Sequence, residues 1–127
     1  MRSYNICKSI GIKSSYTDDE LDNFETLSGR FARSIDFLVR KVFRSLDDVE
    51  FEPQGTLIDT VNNAHKRNII DNMNIFNSIR DLRNEIVHEY LEENLIQNFD
   101  ELLELTPKLI EIINNTINYS SRYLSND

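Results

Sequence analysis

Apolar residues recur every three or four positions along most of this chain, which is the spacing of one buried face of an α-helix. The clearest run predicts one amphipathic helix of about seven or eight turns: Leu21, Phe24, Leu27, Phe31, Ile35, Leu38, Val42 and Leu46. Thr17 and Glu20 have the spacing of a capping box, so the helix is expected to begin there. An acidic segment from Asp47 to Glu52, followed by Pro53-Gln54-Gly55, ends it.

Three further helices follow from the same pattern. Thr56 is the expected cap of a shorter helix marked by Leu57, Val61 and Ala64. A third helix begins near Asp71 and carries Ile75, Ile79, Leu82, Ile86 and Tyr90 on one stripe. A fourth pattern runs from about Asp100 to Leu124, and Pro107 interrupts it. The helix either kinks at Pro107 or restarts with Thr106 as its cap.

The fold class predicted from these elements is all-α, an antiparallel up-down bundle of four to five helices. Residues 1–16 have weaker periodicity and are expected to form a short helix or an irregular arm before the core. No stretch has the pattern of a strand. The 127 residues predict a single domain, 1–127, long enough to bury about two-thirds of its unfolded surface.

Composition narrows the class of function. The net charge of −8 argues against a general nucleic-acid coat. The charge is unevenly distributed along the chain. The segment from Ser28 to Arg83 contains nine basic and eight acidic residues, whereas the segment from Asn84 onward contains two basic and nine acidic residues. Cys7 is the only cysteine, which is consistent with a reducing compartment. Its thiol is expected to be incidental rather than a nucleophile. No apolar run approaches the roughly 20 residues of a membrane span, so a cytoplasmic protein without membrane contact is expected.

The residues that carry chemistry lie together from Arg83 to Tyr90, with the sequence RNEIVHEY. Arginine holds a phosphate through a planar fork of donors, and histidine transfers protons near neutral pH. At about 100° per residue, His88 points away from the core stripe, and Asn84 lies on its face one turn earlier. Arg80, Asn84 and His88 therefore form a ribbon suited to an anion.

Arg83 lies at the edge of the core stripe, and two interpretations of it remain open. It either forms an ion pair within the chain, with Asp81, Glu85 or another acid, or it binds a phosphate beside His88. One arginine and one histidine make a poor nuclease. Two copies facing each other across a two-fold axis supply two of each in a single cleft.

The pattern Arg-Asn-x-x-x-His-x-Tyr on the third helix of a small helical bundle resembles the HEPN superfamily. The chain is most similar to the HepT-type toxins that pair with a minimal nucleotidyltransferase (MNT) antitoxin. This resemblance implies a metal-independent endoribonuclease that acts as a homodimer on RNA. It implies that Arg83 binds the scissile phosphate and that His88 is the general acid or base. It further implies that Asn84 orients either His88 or the phosphate. It also implies that the antitoxin attaches AMP to Tyr90.

Two other interpretations compete with the ribonuclease. In one, the dimer is a non-catalytic binding platform and substrate for a nucleotidyltransferase, which the acids Glu85 and Glu89 beside the motif favour. In the other, the bundle has no site. No metal or cofactor is expected, because His65 and His88 lie on different helices and the chain has no glycine-rich phosphate loop.

Overall fold

The computed structural model describes residues 2–53, 55–92 and 96–123, with 89–92 described by their backbone only. The helices are α1 (Arg2–Ile10), α2 (Asp18–Phe37), a π-helical segment (Leu38–Phe43), α3 (Arg44–Val49), α4 (Leu57–Lys66), α5 (Met73–Glu92) and α6 (Phe99–Ser120). Short 3-10 turns occur at Ile96–Asn98 and Ser121–Tyr123. These residues contain no strand, so the all-α prediction is confirmed, and the helices pack as a bundle.

Side-chain caps begin the helices close to where the sequence predicts. Thr17 Oγ1 accepts a hydrogen bond from the N–H of Glu20 at 3.2 Å, and Glu20 Oε1 accepts one from the N–H of Thr17 at 2.9 Å. Thr56 and Asp59 form the same reciprocal pair at the start of α4. Both predicted caps are therefore confirmed. Asn72 Oδ1 caps α5 by accepting from two backbone N–H groups, so α5 begins at Met73.

The long helix predicted after Thr17 is one uninterrupted helical stretch from Asp18 to Val49, but it includes the π-helical segment. A π-helix bonds residue i to residue i+5, so its side chains fall out of the α-helical phase. Phe43 is fully buried, whereas Val42 is half-buried and packs against the core. The predicted apolar stripe therefore continues through this segment, with Phe43 added to it.

The last helix runs through Pro107 without a break, so the restart with Thr106 as cap is wrong. Proline has no N–H with which to continue the helical bonding. Thr106 is buried one residue earlier, and its hydroxyl donates to the Leu102 carbonyl at 2.6 Å. Its side-chain oxygen is therefore satisfied within the helix. The predicted end at Leu124 lies outside the described residues.

The N-terminal residues form a helix that packs on α2 and α6 rather than an irregular arm. Cys7 on this helix is fully buried, and burial raises the pKa of its thiol to about 11. At neutral pH it is a protonated core side chain. In the same core, the rings of Phe24 and Phe99 stack at 4.0 Å, and Tyr16 meets both edge-on. No helix in the described part of the chain has the length and apolar character needed to cross a membrane.

A cluster of charged and polar side chains joins α3, α4 and α6. The Arg67 guanidinium donates to Asp47 and Glu50, each at 2.8 Å, and its side chain is only 7% exposed. The hydroxyls of Tyr119 and Tyr123 also donate to Glu50. Burial alone would raise the pKa of the Glu50 carboxyl, but the hydrogen bonds from Tyr119, Tyr123 and Arg67 outweigh it and lower that pKa to about 2. The cluster thus links α3, α4 and α6 to one another.

We expect Arg67→Met to lower the free energy of unfolding by about 3 kcal/mol, because it leaves two partly buried carboxylates without their cation. Urea denaturation followed by circular dichroism measures this change. Lys66→Met, which removes an exposed charge from the neighbouring position, is the matched control and is expected to change stability little. Equal effects of the two variants would show that Arg67 acts only through net charge.

We also expect Glu50 to make stability depend on pH in the acid range. Its folded-state pKa of about 2 lies below its ordinary value of 4.5. The stabilising contribution of the Glu50 carboxylate is therefore complete above about pH 4.5, and it is lost as the pH falls from about 4.5 to about 2. The difference in free energy of unfolding between the wild type and Glu50→Gln should shrink from pH 7 to pH 3. The difference between the wild type and the control Glu52→Gln, at an exposed position, should not shrink in this way.

Candidate functional site

Helix α5 presents the predicted motif to solvent because its other face is committed to the core. Phe76, Ile79, Leu82 and Ile86 are almost completely buried. On the opposite side, His88 is exposed, in the direction that helical geometry predicts. The side chain of Tyr90 lies outside the described residues, and so does that of Glu89. The motif is thus on the surface of the bundle as far as the structure describes it.

Arg83 is held by an acid from another helix. Its Nε and Nη2 atoms donate to the two carboxylate oxygens of Asp36 on α2, each at 2.9 Å. Its Nη1 atom donates to Asn84 Oδ1 at 3.2 Å. The ion pair left open by the sequence therefore forms, with Asp36 rather than with Asp81 or Glu85. A two-pronged pair of this kind fixes both the position and the plane of the guanidinium.

The ion pair does not exhaust the donors of Arg83. A guanidinium carries five N–H groups, and the bonds among the described residues use three of them. One N–H on each Nη atom is left for a further acceptor. Arg83 is also about 30% exposed at its side chain, so these donors are accessible from solvent. Pairing with Asp36 and binding of a phosphate are therefore compatible, and the first orients the group for the second.

Arg83 lies in a groove with two other arginines. The groove runs between α2, the π-helical segment and α5, and its polar walls are Asp36, Arg40, Arg80, Arg83 and Asn84. Its apolar floor is formed by Ile35, Val39 and Leu57. Three cations against one carboxylate leave a formal charge of +2, in a chain whose total is −8. We refer to this feature as the arginine groove.

His88 lines a different groove, and that groove is acidic. Glu85, Asp100 and Glu101 line it together with Gln97 and Asn98. Burial raises the pKa of the Glu101 carboxyl, and the nearby charges of Glu85 and Asp100 raise it further. The predicted ribbon is thus divided: Arg80 and Asn84 belong to the arginine groove, whereas His88, one turn beyond Asn84, faces the acidic groove.

Two residues of the arginine groove were missed from the sequence. Asp36 and Arg40 lie on the preceding long helix, and Asp36 is 47 positions away from Arg83. Their spacing carries no motif. Both were visible only as charged positions on the polar face of an amphipathic helix, where most such residues are solvated.

No known protein family matches the chain, and comparisons with curated proteins and with solved structures find no significant match. Within the described residues, no group of three or more histidine, cysteine, aspartate or glutamate side chains is placed to hold a metal ion. The features of the molecule that indicate a function are therefore the geometry of α5 and the grooves on either side of it.

We expect Asp36→Asn to lower the free energy of unfolding by about 1 kcal/mol or less, because the pair with Arg83 is partly exposed to solvent. Urea denaturation measures the change. Asp22→Asn, at an exposed position on the same helix, is the control for loss of a carboxylate. A loss above about 3 kcal/mol would instead place Asp36 among buried structural ion pairs.

Proposed function

We propose that this protein is a HEPN-type, metal-independent endoribonuclease that works as a homodimer. The observation that carries the proposal is the arrangement of α5. This helix presents His88 at the surface, and it presents Arg83 with its guanidinium fixed by Asp36 and two donors left over. A general acid or base and an oriented cation on one rigid helix are the groups that cleavage of an RNA backbone requires.

In this proposal the 2′-hydroxyl of one nucleotide attacks the adjacent phosphorus. The new bond joins the 2′-oxygen to phosphorus, and the bond from phosphorus to the 5′-oxygen of the next nucleotide breaks. One His88 accepts the proton of the 2′-hydroxyl, and the second protomer's histidine protonates the departing 5′-oxygen. The products are a cyclic phosphate and a free 5′-hydroxyl. Arg83 neutralises the charge that builds up on the phosphoryl oxygens.

A second copy of the chain is part of the proposal, because a single protomer supplies only one histidine from this motif. Three large apolar side chains that adjoin residues of the arginine groove or of the motif in sequence are exposed and suit a contact between copies: Phe37 (62%), Ile58 (65%) and Val87 (42%). Phe37 adjoins Asp36 and Val87 adjoins His88 in sequence, so a dimer that covers them would bring the two motifs together. A two-fold contact pairs such a patch with itself.

One observation favours a second candidate function, a non-catalytic platform for an MNT-type nucleotidyltransferase. Glu85, Asp100 and Glu101 surround His88 with negative charge, which repels an RNA backbone and suits a basic protein surface. In both candidate functions, transfer of AMP to Tyr90 would add a bulky anion two residues from His88. In the ribonuclease, that anion would oppose RNA binding and so silence the toxin.

We expect the purified protein to cleave RNA in the presence of EDTA. We expect His88→Ala to reduce the rate by about 10²–10⁴-fold, which is the contribution of a positioned proton-transfer group. Product analysis should find cyclic phosphate ends. His65→Gln, which alters the other histidine of the chain, is the matched control and should retain the wild-type rate.

Circular dichroism of each variant establishes that the fold is intact. Cleavage that persists in His88→Ala, or that requires a divalent metal, contradicts the ribonuclease. A protein that binds a nucleotidyltransferase and accepts AMP, yet leaves RNA intact, is the result that favours the platform.

A further inference from the structure

We propose that the arginine groove binds a backbone phosphate of a single RNA strand, and that Arg40 is a binding residue of this subsite. The inference rests on the proposed function for its choice of ligand, but its new element, Arg40, lies outside the motif. It separates two tasks along α5, with phosphate binding on the Arg40 side and proton transfer at His88.

The charges on the two sides of α5 support this division. The arginine groove carries a formal charge of +2, whereas the groove at His88 contains three carboxylates. A polyanion that reaches His88 must be held against that repulsion by cations elsewhere. The arginine groove adjoins His88 through Asn84, which lines the groove and lies one turn before His88 on α5. Arg40, Arg80 and Arg83 are therefore placed to hold the strand beside it.

The donors of the groove suit a phosphate. Asp36 holds Arg83 in a fixed plane, and its bonds together with the one to Asn84 leave two N–H groups for an anion. Arg40 comes from the opposite wall, so the groove can contact an anion from two helical segments. Ile35 and Val39 at its floor are only 2% and 6% exposed, so what the groove offers a ligand is chiefly its guanidinium groups.

Arg40 belongs to an uncommon element of backbone structure. Arg40 lies within the π-helical segment Leu38–Phe43, and such segments occur frequently at functional sites. Val39 in this segment is buried and lines the groove with Arg40, whereas Arg40 and Lys41 are both exposed. Arg40 and Lys41 thus carry the same charge one residue apart, but only Arg40 lines the groove.

The test measures binding of the full chain to a single-stranded 2′-O-methyl RNA, which binds through its phosphates but cannot be cleaved. We expect Arg40→Gln and Arg80→Gln each to weaken binding by about ten-fold or more, the loss of one charged hydrogen bond. Lys41→Gln is the matched control and should stay within about two-fold of the wild type. We expect Arg40→Gln also to reduce the slope of log Kd against log salt by about 0.7, the value for one lost phosphate contact.

Arg40→Lys retains the charge without the planar fork and should weaken binding less than Arg40→Gln does. Equal losses in Arg40→Gln and Lys41→Gln would overturn the proposal, since they would indicate attraction by net charge alone. Absence of binding by the wild type would overturn it as well. Because no cleavage is measured, the result is independent of His88: Arg40-dependent binding supports the subsite even where the protein leaves ordinary RNA intact.

Discussion

The constraint on which the candidate site depends is the burial of one face of α5. Phe76, Ile79, Leu82 and Ile86 are nearly inaccessible, and each such side chain contributes about 1.5–3 kcal/mol when it leaves water. A rotation of the helix that buried His88 would expose this stripe. Packing of the core therefore fixes which residues the helix offers to solvent, and it does so without any contribution from the polar groups themselves.

From that orientation it follows that α5 is a ridge between two surfaces of opposite charge. The arginine groove lies on one side, and the acids around His88 lie on the other. Asp36 adds a constraint from another helix, because its carboxylate fixes the Arg83 guanidinium. With the bond to Asn84, three of the five N–H groups are occupied and two remain, so the ion pair does not by itself exclude a further acceptor.

Local patterns predicted local structure well. The reciprocal caps at Thr17 and Thr56, the helical stripes and the outward direction of His88 all depend on residues within two turns of each other, so spacing alone reveals them. Contacts between segments that are distant in the chain produce no recognisable spacing in the sequence. The pair of Asp36 with Arg83 and the cluster around Arg67 join helices whose charged faces resemble any solvated face. The groove position of Arg40 also depends on a distant element, because Arg80 and Arg83 lie on α5.

The π-helical segment has a consequence for the scaffold as a whole. Each turn of a π-helix holds more residues than an α-turn, so Leu38–Phe43 accommodates extra chain without ending the helix. The rods on either side, α2 and α3, retain their own core contacts. Ile35 before the segment and Leu46 after it are both buried, so the wider turn does not move the rod off the core. The rod therefore contains a local departure from regular winding without losing its packing on either side.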